Sequence, residues 1–247
     1  MFAVVFSILA VAVVRLWNWK AKRTRLMTLA MLTVGAAYIF ALPPADSWLD
    51  PRLAGLLGEN ISDLLLSLGV IAACWLYGRL ALRALDSTGD ADRRECRHPR
   101  GTLAWSITLG AAAVGLVLTS RLGESRTRAV DHEFALIDAT TRAYNAIAAV
   151  PFGLTCALLA AAAITALLDQ RPGRLPFLAL AAATVYGCAA AIVTLVLLLV
   201  DPEMLADHIA AFTAGTSGPI IVCLVIAGLW GARPSRSTRQ LSPSSSS

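Results

Sequence analysis

Lysine is almost missing from this chain: Lys20 and Lys22 are its only two, against 19 arginines. No later apolar stretch offers an amine for a Schiff base, so retinal-type photochemistry is excluded. Histidine is limited to three residues, and no H-x-x-x-H, H-E-x-x-H or G-x-S-x-G spacing occurs. The usual zinc and serine-hydrolase frameworks are therefore lacking, as is the paired aspartate-rich motif of a prenyl transferase, and neither an enzyme nor a cofactor is expected. Of the five cysteines, Cys74, Cys156, Cys188 and Cys223 fall in apolar runs and Cys96 in a basic loop, which is no disulfide framework.

Charged residues make up only 15% of the chain, while 57% is hydrophobic and the mean hydropathy is +0.67. That balance belongs to an integral membrane protein. Seven apolar runs can be drawn, at residues 2–19, 26–42, 61–82, 102–120, 147–168, 176–200 and 209–231, most near the ~20 residues that cross ~30 Å of hydrocarbon. Period-2 alternation is missing, so the expected fold is an all-α bundle of seven transmembrane helices rather than a barrel.

The first run has no basic residue before it and five after it, from Arg15 to Arg25, the reverse of a signal peptide. Positive residues stay on the cytoplasmic side, which places the N-terminus outside and the C-terminus inside. Alternate loops then hold 16 Lys or Arg inside and five outside, the latter Arg52, Arg121, Arg126, Arg128 and Arg142. A multi-pass protein of the bacterial cytoplasmic membrane fits this count, with the basic residues facing anionic lipid rather than nucleic acid.

Outside the spans, the tail at 232–247 is polar and serine-rich and is expected to be a disordered cytoplasmic segment. The extracytoplasmic loop 121–146 carries Val130, Phe134, Ile137, Thr141 and Tyr144 at spacings of 4, 3, 4 and 3, the stripe of an amphipathic helix lying on the membrane. Its VDHEFALID segment, Val130 to Asp138, raises a metal question. His132 and Glu133 are weak candidate ligands, and would need Asp207 and His208 from the next outer loop, since His132 and Asp138 diverge by ~120° on one helix.

Two features inside the spans bear on function. Pro and Gly interrupt AVPFG (Pro151, Gly153) and TAGTSGP (Gly215, Gly218, Pro219), where backbone groups are freed to pack a kink or to line a cavity. The third span opens with ENISDLLLSL, which puts Glu59, Asp63 and Ser67 on one helical face at i, i+4 and i+8. From Asp63 to Arg79 is ~24 Å of helix against ~30 Å of hydrocarbon. Arg79 can snorkel and Asp63 cannot, so Asp63 is expected either to face a partner in a polar cavity or to cap its helix. Tyr144, Tyr186 and the backbone near Pro219 complete the candidate substrate or ion pathway.

The basic first loop, the acidic start of the third span, Tyr144 ahead of the fifth and the hairpin LLDQRPGRLPFLALAAATVYG resemble a family of actinobacterial seven-helix membrane proteins. Its members carry a domain of unknown function and are catalogued as transporters. Many are longer, with a cytoplasmic domain after the seventh helix, where this sequence has a serine-rich tail. The interrupted helices and the Asp63 face favour transport of a small solute or ion, which the family name alone does not establish. The charged inner loop leaves open the alternative, a sensor or anchor for a cytoplasmic regulatory protein.

Overall fold

A computed structural model describes residues 2–16, 22–40, 42–57, 61–86, 99–122, 139–169 and 174–205. They form seven helices: α1 (Phe2–Leu16), α2 (Lys22–Ile39), α3 (Pro43–Leu57), α4 (Ile61–Asp86), α5 (Pro99–Leu122), α6 (Ala139–Leu168) and α7 (Arg174–Val200). No strand occurs among the described residues. Four stretches, Ile61–Leu85, Gly101–Ser120, Ala139–Leu168 and Arg174–Val200, are long and apolar enough to cross a membrane. Large apolar side chains are left uncovered along them, among them Leu199 at 82% exposure, Leu168 at 75% and Ile107 at 63%. Such faces are costly in water and suited to lipid, the mark of a membrane protein.

The seven helices are not the seven expected spans. The run 209–231 and the tail 232–247 lie outside the described residues, and α3 is an addition that the apolar pattern does not announce. The apolar parts of α1 and α2, Val5–Leu16 and Arg25–Ile39, are shorter than the ~20 residues that a straight crossing needs. After α2 the chain tightens into turns, with Phe40 N–H donating to Ala37 O at 3.0 Å and Leu42 N–H to Ile39 O at 3.1 Å, which delivers Pro43 to the start of α3.

The fifth expected span begins earlier than its hydropathy suggests. Ala139 to Ala146, read as the end of a surface-lying ramp, form the first two turns of α6. Thr141 and Tyr144 are buried, at 3% and 6% exposure. The preceding part of the ramp, 123–138, lies outside the described residues. α6 also runs unbroken through Pro151, where the Thr155 hydroxyl donates to the Pro151 carbonyl at 2.7 Å.

α4 is the hub, packing against α2, α3, α5 and α6, while α7 packs on α6 and α1 on α2. Close approach is carried by small residues. A Cβ on Gly69 would stand 2.5 Å from the Ala37 Cβ, and one on Gly153 2.9 Å from the Ala191 Cβ. AVPFG is thus a packing surface between α6 and α7. In the GAAAVG stretch of α5, Gly110 to Gly115, Gly115 faces Ile147 and Gly110 faces open space.

Candidate functional site

The N-terminal end of α4 is built from a helix the hydropathy pattern does not show. A helix start leaves backbone N–H groups without intrahelical acceptors and favours negative charge. Asp50 of α3 answers this at α4: its Oδ1 accepts from the Ser62 N–H at 2.9 Å and its Oδ2 from the Ser62 hydroxyl at 3.0 Å. Ser62 and Ile61 are each 1% exposed. Asp50 thus caps α4 at Ser62.

Asp63 is the third residue of α4, partly buried, with its carboxylate Oδ2 shielded from solvent. The Tyr144 hydroxyl donates to the Asp63 backbone carbonyl at 3.0 Å and lies 2.8 Å from Ser67 Oγ. Helical spacing sets Asp63 and Ser67 on one face, and the early start of α6 brings Tyr144 to it. Beneath this polar group, Leu64, Ile71, Leu109 and Leu116 form an apolar core. A partly buried carboxylate on a helix face that also presents hydroxyl groups can exchange a proton or hold a small cation.

The structure therefore assembles Asp63, Ser67 and Tyr144. Tyr186 on α7 is 42% exposed and faces away from the core. Glu59 and Pro219 lie outside the described residues, as do His132, Glu133, Asp207 and His208. Among the described residues no group of three or more His, Cys, Asp or Glu is arranged to hold a metal ion. A cleft of about 190 Å³ between α4, α6 and α7, with Ala81, Leu159, Ala163 and Phe177 in its wall, is lined by apolar side chains throughout.

Other polar residues acquire settings that composition does not reveal. Arg15, counted with the basic loop, is buried on α1 at 5% exposure and lies within electrostatic range of Tyr77 of α4. The Arg79 guanidinium lies 4.7 Å from the Trp75 ring centroid, one turn back along α4. Trp75 Nε1 in turn donates to Ser106 Oγ of α5 at 3.0 Å. The i, i+4 spacing of Trp75 and Arg79 is a signal for stacking that could have been read.

No family model, curated protein or solved structure matches this chain.

Proposed function

We propose that the protein is a multi-pass transporter of a small solute or ion in a bacterial cytoplasmic membrane, with the N-terminus of α4 on the outer side and Asp63 as its proton- or cation-exchanging group. The observation that carries this reading is the convergence of Tyr144 on Ser67 and the Asp63 carbonyl, at 2.8 and 3.0 Å. Ionisable groups at membrane depth are costly and face partners or pathways.

The test is flux in proteoliposomes under an imposed potential, with an internal pH dye to detect protons and potassium or sodium supplied in turn. Asp63→Asn keeps the shape and removes the charge. It should fold with a melting temperature near that of the parent and lose tenfold or more of the flux, and Tyr144→Phe should lose less. Unchanged flux in Asp63→Asn rejects the assignment.

A second reading, a sensor working with a cytoplasmic regulatory protein, is favoured by the hold of Asp50 on Ser62, which ties α3 to the end of α4. Under that reading Asp50→Asn changes a signalling output, and no flux is found for the parent protein.

A further inference from the structure

A guanidinium normally escapes hydrocarbon by reaching along its stem toward the nearer water boundary. Arg79 makes a different contact. Its Cα lies seven residues, or about 10 Å, before the C-terminal end of α4, yet its charge folds back over Trp75, toward the helix N-terminus. Among the described residues, the contact Arg79 makes is with this ring and not with a carboxylate. Stacking occupies the face of the guanidinium and leaves its in-plane N–H fork available, the edge that matches a phosphate.

The ring is itself held in place. Trp75 donates to Ser106 Oγ at 3.0 Å, and Ser106 donates to the Thr102 carbonyl at 2.9 Å. Arg83, one turn further along the same face, is exposed. On α5, Leu103 and Ile107 are uncovered at 61% and 63%, and a Cβ at Gly110 would meet nothing within 4 Å. A stacked cation on α4 is thus joined through Trp75 and Ser106 to α5, whose uncovered face carries Leu103, Ile107 and the open Gly110.

We propose that this face of α4 and α5 binds an anionic glycerophospholipid of the cytoplasmic leaflet. Its phosphodiester engages Arg79 and Arg83, and one acyl chain lies along Leu103, Ile107 and the Gly110 notch. The leaflet assignment rests on the orientation proposed above, whereas binding itself does not. A submerged arginine draws phosphate toward it by local thinning of the bilayer, and the cytoplasmic leaflet supplies the anionic lipid.

The test is native mass spectrometry of the full chain from micelles holding equal phosphatidylglycerol and phosphatidylcholine, with melting temperatures measured alongside. The parent should retain phosphatidylglycerol preferentially, and Arg79→Gln should weaken that retention about fivefold, the worth of one arginine at an anionic surface. Arg79→Lys, which keeps the charge and discards the fork, should fall between them. Arg52→Gln, at the other stacked pair with Trp48, should retain lipid as the parent does. Equal retention of both lipids by the parent, or parent-like selectivity in Arg79→Gln, overturns the proposal. Full thermal stabilisation by glycerol phosphate alone overturns it in favour of a free-phosphate site. Should Arg79→Gln fail to fold, parent-like selectivity in Arg83→Gln and Arg79→Lys together overturns it.

Discussion

At the scale of single residues, the decisive group is one that hydropathy ignores. Asp50 gives both carboxylate oxygens to Ser62, and charge-assisted bonds of this kind are the strong ones. Asp50→Ala should lower stability by about 1–2 kcal/mol, seen as a fall in melting temperature in detergent. Trp105 is the reverse case. Among the described residues its buried indole N–H has no hydrogen-bond partner, and the ring presses on α4 at Gly78. Trp105→Phe relieves an orphaned donor and should cost under about 1 kcal/mol, whereas Gly78→Ala forces the ring to move and should cost about 1–3 kcal/mol. Matching losses in the two would mean that the ring can shift. Asp63 and Ser67 were legible as a pair because i, i+4 spacing is a property of one helix. Their partner Tyr144 lies 77 residues from Ser67, and no local pattern states which helices will touch.

At the scale of elements, α3 and the start of α6 show where pattern reading runs out. α3 has the proline start that suits a first helical turn, at Pro43, but Pro51 stands inside it and its 15 residues are too few to register as a span. Of the stripe, Thr141 and Tyr144 lie within the described residues and are helical. Period alone says that one side is apolar, not whether lipid or protein covers it. Here α4 covers it, so Tyr144 enters the candidate site instead of resting on the membrane. The α6–α7 contact offers a sharper check: Gly153→Val would drive a branched side chain into Ala191 and should cost about 1–3 kcal/mol, while Gly110→Val, on an open face, should leave the melting temperature almost unchanged.

For the whole molecule, composition alone gave the class, because four long apolar helices require the hydrophobic excess that the chain displays. Orientation is a separate proposition and rests on the 16 to five division of Lys and Arg. Reporter fusions after Arg97 and at the C-terminus should signal cytoplasm, and a fusion after Arg128 should signal the exterior. A cytoplasmic signal at Arg128 would invert the orientation and with it the leaflet proposed for the lipid.

The two hydrogen-bonded junctions at the N-terminal end of α4 also differ in when they can form. Asp50 and Ser62 are 12 residues apart, a loop short enough to close on the sub-microsecond scale once both have left the ribosome. Tyr144 and Ser67 are separated by 77 residues, so their contact waits for the synthesis of α5 and the arrival of α6. A nascent chain arrested before Ala139 would therefore carry a finished helix end beneath an unfinished site: during biogenesis α4 is anchored first and given its chemistry afterwards.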